Sequence, residues 1–158
     1  MRVSGKKALV QLQWGTAETL DLSGVGSDGR SRANDFQFTI SADTAEAIGY
    51  NEDYKETVAL GQSAVEGSMT VFYNAAANEV EDVLWTMWEA QHQVADCGEV
   101  GEYTLVIMPE GNCPGATEWE ISNVVLKTLE FPIKFGEILV INFSWSGWQV
   151  TRSTIAAS

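Results

Sequence analysis

Residues able to do chemistry are few and scattered in this 158-residue chain. The one histidine, His92, closes a helical pattern, where an exposed or capping imidazole is the ordinary outcome. The two cysteines, Cys97 and Cys113, make neither a CxxC pair nor a disulfide framework. Two reduced thiols are expected, with a bridge between them as the open alternative. Gly24-Val-Gly-Ser-Asp-Gly29 matches G-x-G-x-x-G, but no helical pattern follows it and no βαβ unit surrounds it, so no dinucleotide is expected there. The acid pairs Glu52-Asp53 and Glu81-Asp82 offer a carboxylate dyad or a weak calcium site in type only. One lies in a loop and the other in a capped helical turn, where solvated surface is the expected role. Neither G-x-S-x-G nor H-E-x-x-H occurs. This inventory predicts a protein that is not an enzyme, with no catalytic residue, cofactor or metal.

Six tryptophans remain to be placed. Trp14, Trp119 and Trp145 fall on the apolar sides of strand patterns and Trp88 on an apolar helical face, so these are core candidates. Trp85 and Trp148 are not absorbed by the core. Exposed, they would stack on sugar rings or anchor a protein interface, where tryptophan is enriched.

The elements that position these residues are organised around Ala64–Gln93. Val65, Met69, Val71 and Tyr73 alternate with Glu66, Ser68 and Thr70, the period of a half-buried strand. Gly67 interrupts the apolar side, where a bulge or a close backbone approach is expected. A helix is predicted over about 78–93, with Asn78 as N-cap, Glu81 completing a capping box, and Glu79 and Asp82 favoured by the helix dipole. Val80, Val83, Leu84, Met87 and Trp88 form its apolar face, widened by Trp85. Asp96-Cys97-Gly98 stops it.

Around this unit, Lys7–Trp14 alternates as a strand with Leu20 and Leu22 as its hairpin partner, and residues 23–35 form a polar loop. Asp35–Ser41 is a strand with Phe36, Phe38 and Ile40 inward. Residues 42–62 look like a long loop, with a helical turn over Thr44–Ile48, that orders on assembly or covers the core. Tyr103–Met108 is an apolar strand. Glu118–Phe131 reads as one central strand ended by Pro132, and Glu137–Trp145 as another, continued by Trp148 and Val150, before a loose tail over Thr154–Ser158. Six or seven strands and one helix make the chain mainly β. The expected fold is a single domain over 1–158, an antiparallel β-sandwich or partly closed barrel with one flanking helix.

Net charge is −13, unevenly spread. Residues 1–32 hold five basic and three acidic residues; residues 33–120 hold Lys55 against seventeen acids; residues 121–158 hold three basic and two acidic residues. Such a chain is a poor nucleic-acid clamp, because affinity for phosphate comes from Lys and Arg. Solubility alone is the ordinary role of such a charge balance, with stacking on copies of itself, basic end to acidic face, as the alternative. The N-terminal residues lack a signal-peptide pattern, and no apolar run approaches the ~20 residues of a membrane helix, so a soluble protein is expected.

The order of these elements resembles the major tail tube proteins of long-tailed bacteriophages, and more distantly the tube proteins of contractile injection systems. The residues that carry the likeness are the N-terminal strand, the Asp35–Ser41 strand, the long 42–62 segment, Val65-Glu-Gly-Ser-Met-Thr-Val-Phe-Tyr73 running into the capped helix, and the two closing strands. The resemblance implies a virion structural protein of the tail, assembled in the host cytoplasm. It implies self-assembly into stacked hexameric rings that form a hollow conduit for DNA, with inner-sheet strands joined between subunits. Tape measure, tail terminator and distal tail proteins would be further partners, and DNA would pass without specific binding. Carried onto this chain, Gln37, Thr39, Glu66, Ser68 and Thr70 would face the lumen. Arg30, Arg32, Ile48, Tyr50, Tyr54 and Trp148 would be inter-subunit contact candidates, and no membrane would be involved. The runner-up reading is a carbohydrate-binding β-sandwich.

Overall fold

Hydrophobic alternation builds two antiparallel sheets, and the chain changes sheet at two sharp corners. The computed structural model describes residues 8–15, 18–48, 55–92 and 102–156, without the side chains of 43–48 and 55–63. Its strands are β1 (Leu9–Trp14), β2 (Glu18–Asp21), β3 (Ala33–Ile48), β4 (Lys55–Phe72), β5 (Tyr103–Met108), β6 (Thr117–Ser122), β7 (Val125–Glu130), β8 (Val140–Gly147) and β9 (Gln149–Thr154), and its helix is α1 (Val80–His92). One sheet has the order β2-β1-β5-β6-β9 and the other β3-β4-β8-β7. The protein is mainly β, a two-sheet antiparallel sandwich with one flanking helix and no closed barrel.

The corners correct the expectation of two long closing strands. Glu118–Phe131 is split at Asn123, whose φ of 51° lies in the left-handed region that asparagine tolerates. β6 therefore stays in the five-stranded sheet while β7 joins the four-stranded one. The second switch, from β8 to β9, falls at Gly147. A Cβ there would lie 2.4 Å from Ile121 Cγ2, so only glycine lets the corner close. The Trp148 amide then donates to Ser122 O at 2.9 Å, fastening one corner to the other. The tail is ordered strand up to Thr154.

Residues 42–48 and 55–62 are strand and not loop; 49–54 lie outside the described residues. β3 and β4 continue as paired strands to Ile48↔Lys55, with register shifts between Ser41 and Ala42 and between Ala42 and Thr44. The helical turn expected at Thr44–Ile48 is strand. Thr44, Ile48, Thr57 and Val58 are β-branched and favour the extended chain, a preference hidden by the interspersed acids. Ala42–Ile48 alone extends the ribbon by roughly 20 Å beyond the irregularity.

Between the sheets, Val65, Met69, Val71, Ile141, Phe143 and Trp145 face Val10, Leu12, Leu105, Ile107 and Ile121. The Trp145 indole stacks on Phe36 at 6.2 Å and lies over Gly67. A Cβ at Gly67 would sit 2.4 Å from the Trp145 ring and 2.5 Å from Gln37 O. Of the two options for Gly67, the structure selects the close approach. α1 buries Val80, Val83, Leu84 and Met87, the predicted face. It begins at Val80, after Asn78 takes φ 62°, and the Asn78 amide donates to Asp82 at 2.9 Å. Asp82, not Glu81, thus reaches back, because the helix starts one residue later than the Asn78 cap implies.

Candidate assembly surfaces

The alternation of β3, β4, β7 and β8 turns one side of their sheet inward and leaves a polar outer face. Three transverse rows are set by the register: Thr39, Glu66 and Ser146; Gln37, Ser68, Ser144 and Thr128; Asp35, Thr70, Asn142 and Glu130. Neighbours within a row bond to one another. Gln37 Nε2 donates to Ser68 at 3.2 Å, Thr70 Oγ1 to Asn142 Oδ1 at 2.8 Å, and the Thr128 and Ser144 hydroxyls share a bond of 2.6 Å. Asp35 accepts from the Thr70 amide at 3.0 Å. The five residues Gln37, Thr39, Glu66, Ser68 and Thr70 therefore share one face. Lys127 pairs with Glu66 at 2.9 Å in an exposed bridge, which is worth little in stability.

This sheet ends in two edges. β3 has β4 on one side only, and β7 has β8 on one side only. The β7 edge is capped at one end by its own helix. Gln91 accepts from the Leu126 amide and donates to Val124 O, both at 2.9 Å, and His92 Nε2 meets Leu126 O at 2.6 Å. His92 also packs on Trp88, with ring centroids 4.3 Å apart. The histidine is thus a structural cap, and among the described residues no group of three or more His, Cys, Asp or Glu side chains is placed to hold a metal. Cys113 is exposed; Cys97 lies outside the described residues, as do Tyr50 and Tyr54.

The glycine-rich 24–31 loop is held by a buried ion pair. Arg32 Nε and Nη2 donate to the two Glu79 carboxylate oxygens at 2.8 and 3.1 Å, and Arg32 Nη1 donates to Asp21 O at 2.9 Å. The Ser27 amide donates to Glu79 at 3.0 Å. Side-chain exposure is 16% for Arg32 and 7% for Glu79. The Arg32 hydrogen bonds hold the Glu79 carboxyl below its ordinary range, and the same bonds raise Arg32. Arg32 is therefore engaged inside its own chain. Arg30 is exposed, and its amide donates to Asp28 at 3.0 Å. Trp148 is 76% exposed, while Ile48 is a strand residue whose side chain is not described.

A surface that the sequence reading missed is the connection from β7 to β8. Phe131, Ile133, Phe135, Ile138 and Leu139 are all exposed, Phe135 by 99%. Phe131, Ile133 and Leu139, with Tyr73 and Trp85, border a cleft of about 490 Å³ in which Glu81 is the one charged group among the described lining residues. Five large apolar residues in a stretch broken by Pro132 and Gly136 were the available signal.

No protein-family model matches the chain, and no curated protein matches it in sequence. Solved structures do match. A chain of the PVC sheath–tube complex, an extracellular contractile injection system in its extended state, superposes with a TM-score of 0.64 at 13% identity, covering 98% of this chain and 93% of that one. The tail of an empty gene transfer agent particle gives 0.63 at 11% identity, over 97% and 98%. The SPP1 tail tube gives 0.62 at 10% identity, over 99% and 81%. The chain has the tail-tube fold. At these identities the likeness is one of backbone architecture, and the tail-tube fold carries this chain's own surfaces: a polar sheet face, two open edges, a long ribbon and an apolar loop.

Proposed function

We propose that the protein is a non-catalytic structural subunit of a tail tube, with copies joined into hexameric rings and rings stacked into a hollow conduit. The observation that carries this reading is the four-stranded sheet. Its outer face is a hydrogen-bonded grid of short polar side chains, and among the described residues no further strand pairs with either of its edges. Unpaired edges are aggregation hazards in a monomer and become interfaces when the β3 edge of one copy meets the β7 edge of the next.

In the ring, the grid lines the lumen, with Gln37, Thr39, Glu66, Ser68 and Thr70 on the wall. Asp35, Glu66 and Glu130 make that wall acidic, and Lys127 stands beside it paired with Glu66. Six copies at −13 give about −78 per ring. An acidic wall repels phosphate, so DNA passes without being held. The β3–β4 ribbon extends beyond the sandwich and is the element suited to reach a neighbouring ring. Arg30 and Trp148 are available for contacts between subunits. Tape measure, terminator and distal tail proteins are the partners proposed for the tube ends, and the virion tail is the location, after assembly in the host cytoplasm.

Negative-stain electron microscopy of the purified full chain, from low to high concentration, tests this reading. Rings or tubes with a central hole are expected. A protein that stays monomeric at every concentration would overturn it.

A further inference from the structure

Two apolar features of this chain lie at opposite edges of the four-stranded sheet. One is convex: in the β7–β8 loop, Phe135 is 99% exposed and Ile133 66%. The other is concave. At the β3 edge the two sheets part around a gap of about 700 Å³, of ligand-pocket size, lined by Val10, Phe36, Phe38, Met69, Ile107 and Trp119 among others. Among the described residues, none fills the gap or covers Phe135.

The register places both at one level of the sheet. Ala33 pairs with Val71 and Val71 with Ile141, while Glu130 pairs with Asn142. The start of β3, at the mouth of the gap, and the end of β7, where the loop begins, therefore lie at the same height on opposite edges. Copies laid side by side, with β7 of one beside β3 of the next, bring loop to gap. The charges agree: Lys134 flanks Phe135 in the loop, and Asp35 stands at the gap. A convex patch that fits a concavity elsewhere on the same molecule makes a heterologous contact, which closes into a ring or grows as a filament.

We propose that the β7–β8 loop is a plug for a second copy of this chain, with Phe135 and Ile133 seated in the neighbour's gap between the sheets and Lys134 facing its Asp35. The inference rests on the ring reading and adds the residues that lock adjacent subunits. It also explains why so apolar a loop is tolerated, because exposed patches of this kind mark interaction sites.

The test uses the full chain with Cys97→Ser and Cys113→Ser, to which Asn34→Cys and Lys134→Cys are added together or singly. Across three strand spacings these two positions lie roughly 14 Å apart within one chain, beyond the reach of a disulfide. Oxidation of the double variant should give a covalent ladder up to the full ring, and neither single variant should do so. In parallel, Phe135→Ser should raise the concentration for half-assembly by about 10-fold or more, the loss of a buried aromatic anchor. Its thermal midpoint as a dilute monomer should not move, because Phe135 has no packing to lose. Rings that form without the ladder, or with unchanged concentration dependence in Phe135→Ser, would overturn the plug while leaving the ring reading intact. A parent chain that forms no assembly would overturn both.

Discussion

Breaking the Arg32–Glu79 pair tests whether the loop before β3 is held by an internal clamp. Arg32→Met removes three hydrogen bonds: two to Glu79, at 2.8 and 3.1 Å, and one to Asp21 O at 2.9 Å. It leaves a carboxylate of 7% exposure with the Ser27 amide as its remaining partner. Removing one member of a buried pair costs about 3–5 kcal/mol, and the partial solvent access of Arg32 places this case near the lower end, at about 3 kcal/mol. For a chain of this length that is a fall of roughly 6–12 °C in Tm. Glu79→Gln keeps an oxygen for Ser27 but loses the charge, for about 2 kcal/mol. The double variant should cost less than the sum, with a coupling of about 2 kcal/mol. The assay is urea unfolding of dilute monomer for the four members of the cycle. The pH dependence has a definite sign. Glu79 is lowered from its ordinary value near 4.5, so its contribution is complete above that value and is lost as the pH falls below it. Additive single effects, or unchanged stability in Arg32→Met, would refute the clamp.

Three further outcomes are expected. Gly67→Ala should destabilise the monomer by about 1–3 kcal/mol in the same unfolding assay, because the added methyl meets the Trp145 ring and Gln37 O at once; an unchanged midpoint would show that the sheet can yield there. Ser68→Arg with Ser144→Arg puts two cations per subunit at paired positions on the polar sheet face. Tubes of this variant should retain DNA with a salt-dependent affinity that the parent lacks, measured by co-sedimentation. Raising salt from about 50 to 500 mM should lower the concentration at which rings appear, since screening weakens repulsion between acidic copies and leaves apolar contact intact. Assembly that weakens with salt would mean charge attraction drives it.

The two-sheet arrangement and the helix were legible because their signals are local. Val65, Met69 and Val71 alternate, and Val80, Val83, Leu84 and Met87 recur at helical spacing; each set is buried as its period requires. The corners were not legible. At Asn123 and Gly147 the hydrophobic alternation runs on through the break, so only backbone conformation and the Ile121 contact reveal the change of sheet. The ribbon over 42–48 and 55–62 was misread because acids such as Asp43, Glu46 and Glu56 break up the apolar pattern without removing the extended preference of the β-branched residues. The Arg32–Glu79 pair joins residues forty-seven positions apart, a relation that spacing does not encode. That Gln37, Thr39, Glu66, Ser68 and Thr70 share one sheet face was legible, since one face of a strand is a property of its sequence. The β7–β8 loop was passed over because attention to Pro132 as a terminator hid the apolar residues beyond it.

Charge and apolar surface divide the work of association between them. Seventeen of the acids lie in residues 33–120, so copies of this chain repel one another at any distance where charge is felt. Attraction must come from short-range contact, and the chain's C-terminal part, with three basic and two acidic residues, is where exposed apolar side chains are concentrated. A near-neutral apolar plug beside an otherwise acidic surface binds only when shape and register match, because any misplaced approach brings acid against acid. In the proposed tube, the acidity that would keep the wall from holding DNA would also penalise wrong contacts between subunits, so one net charge would serve both.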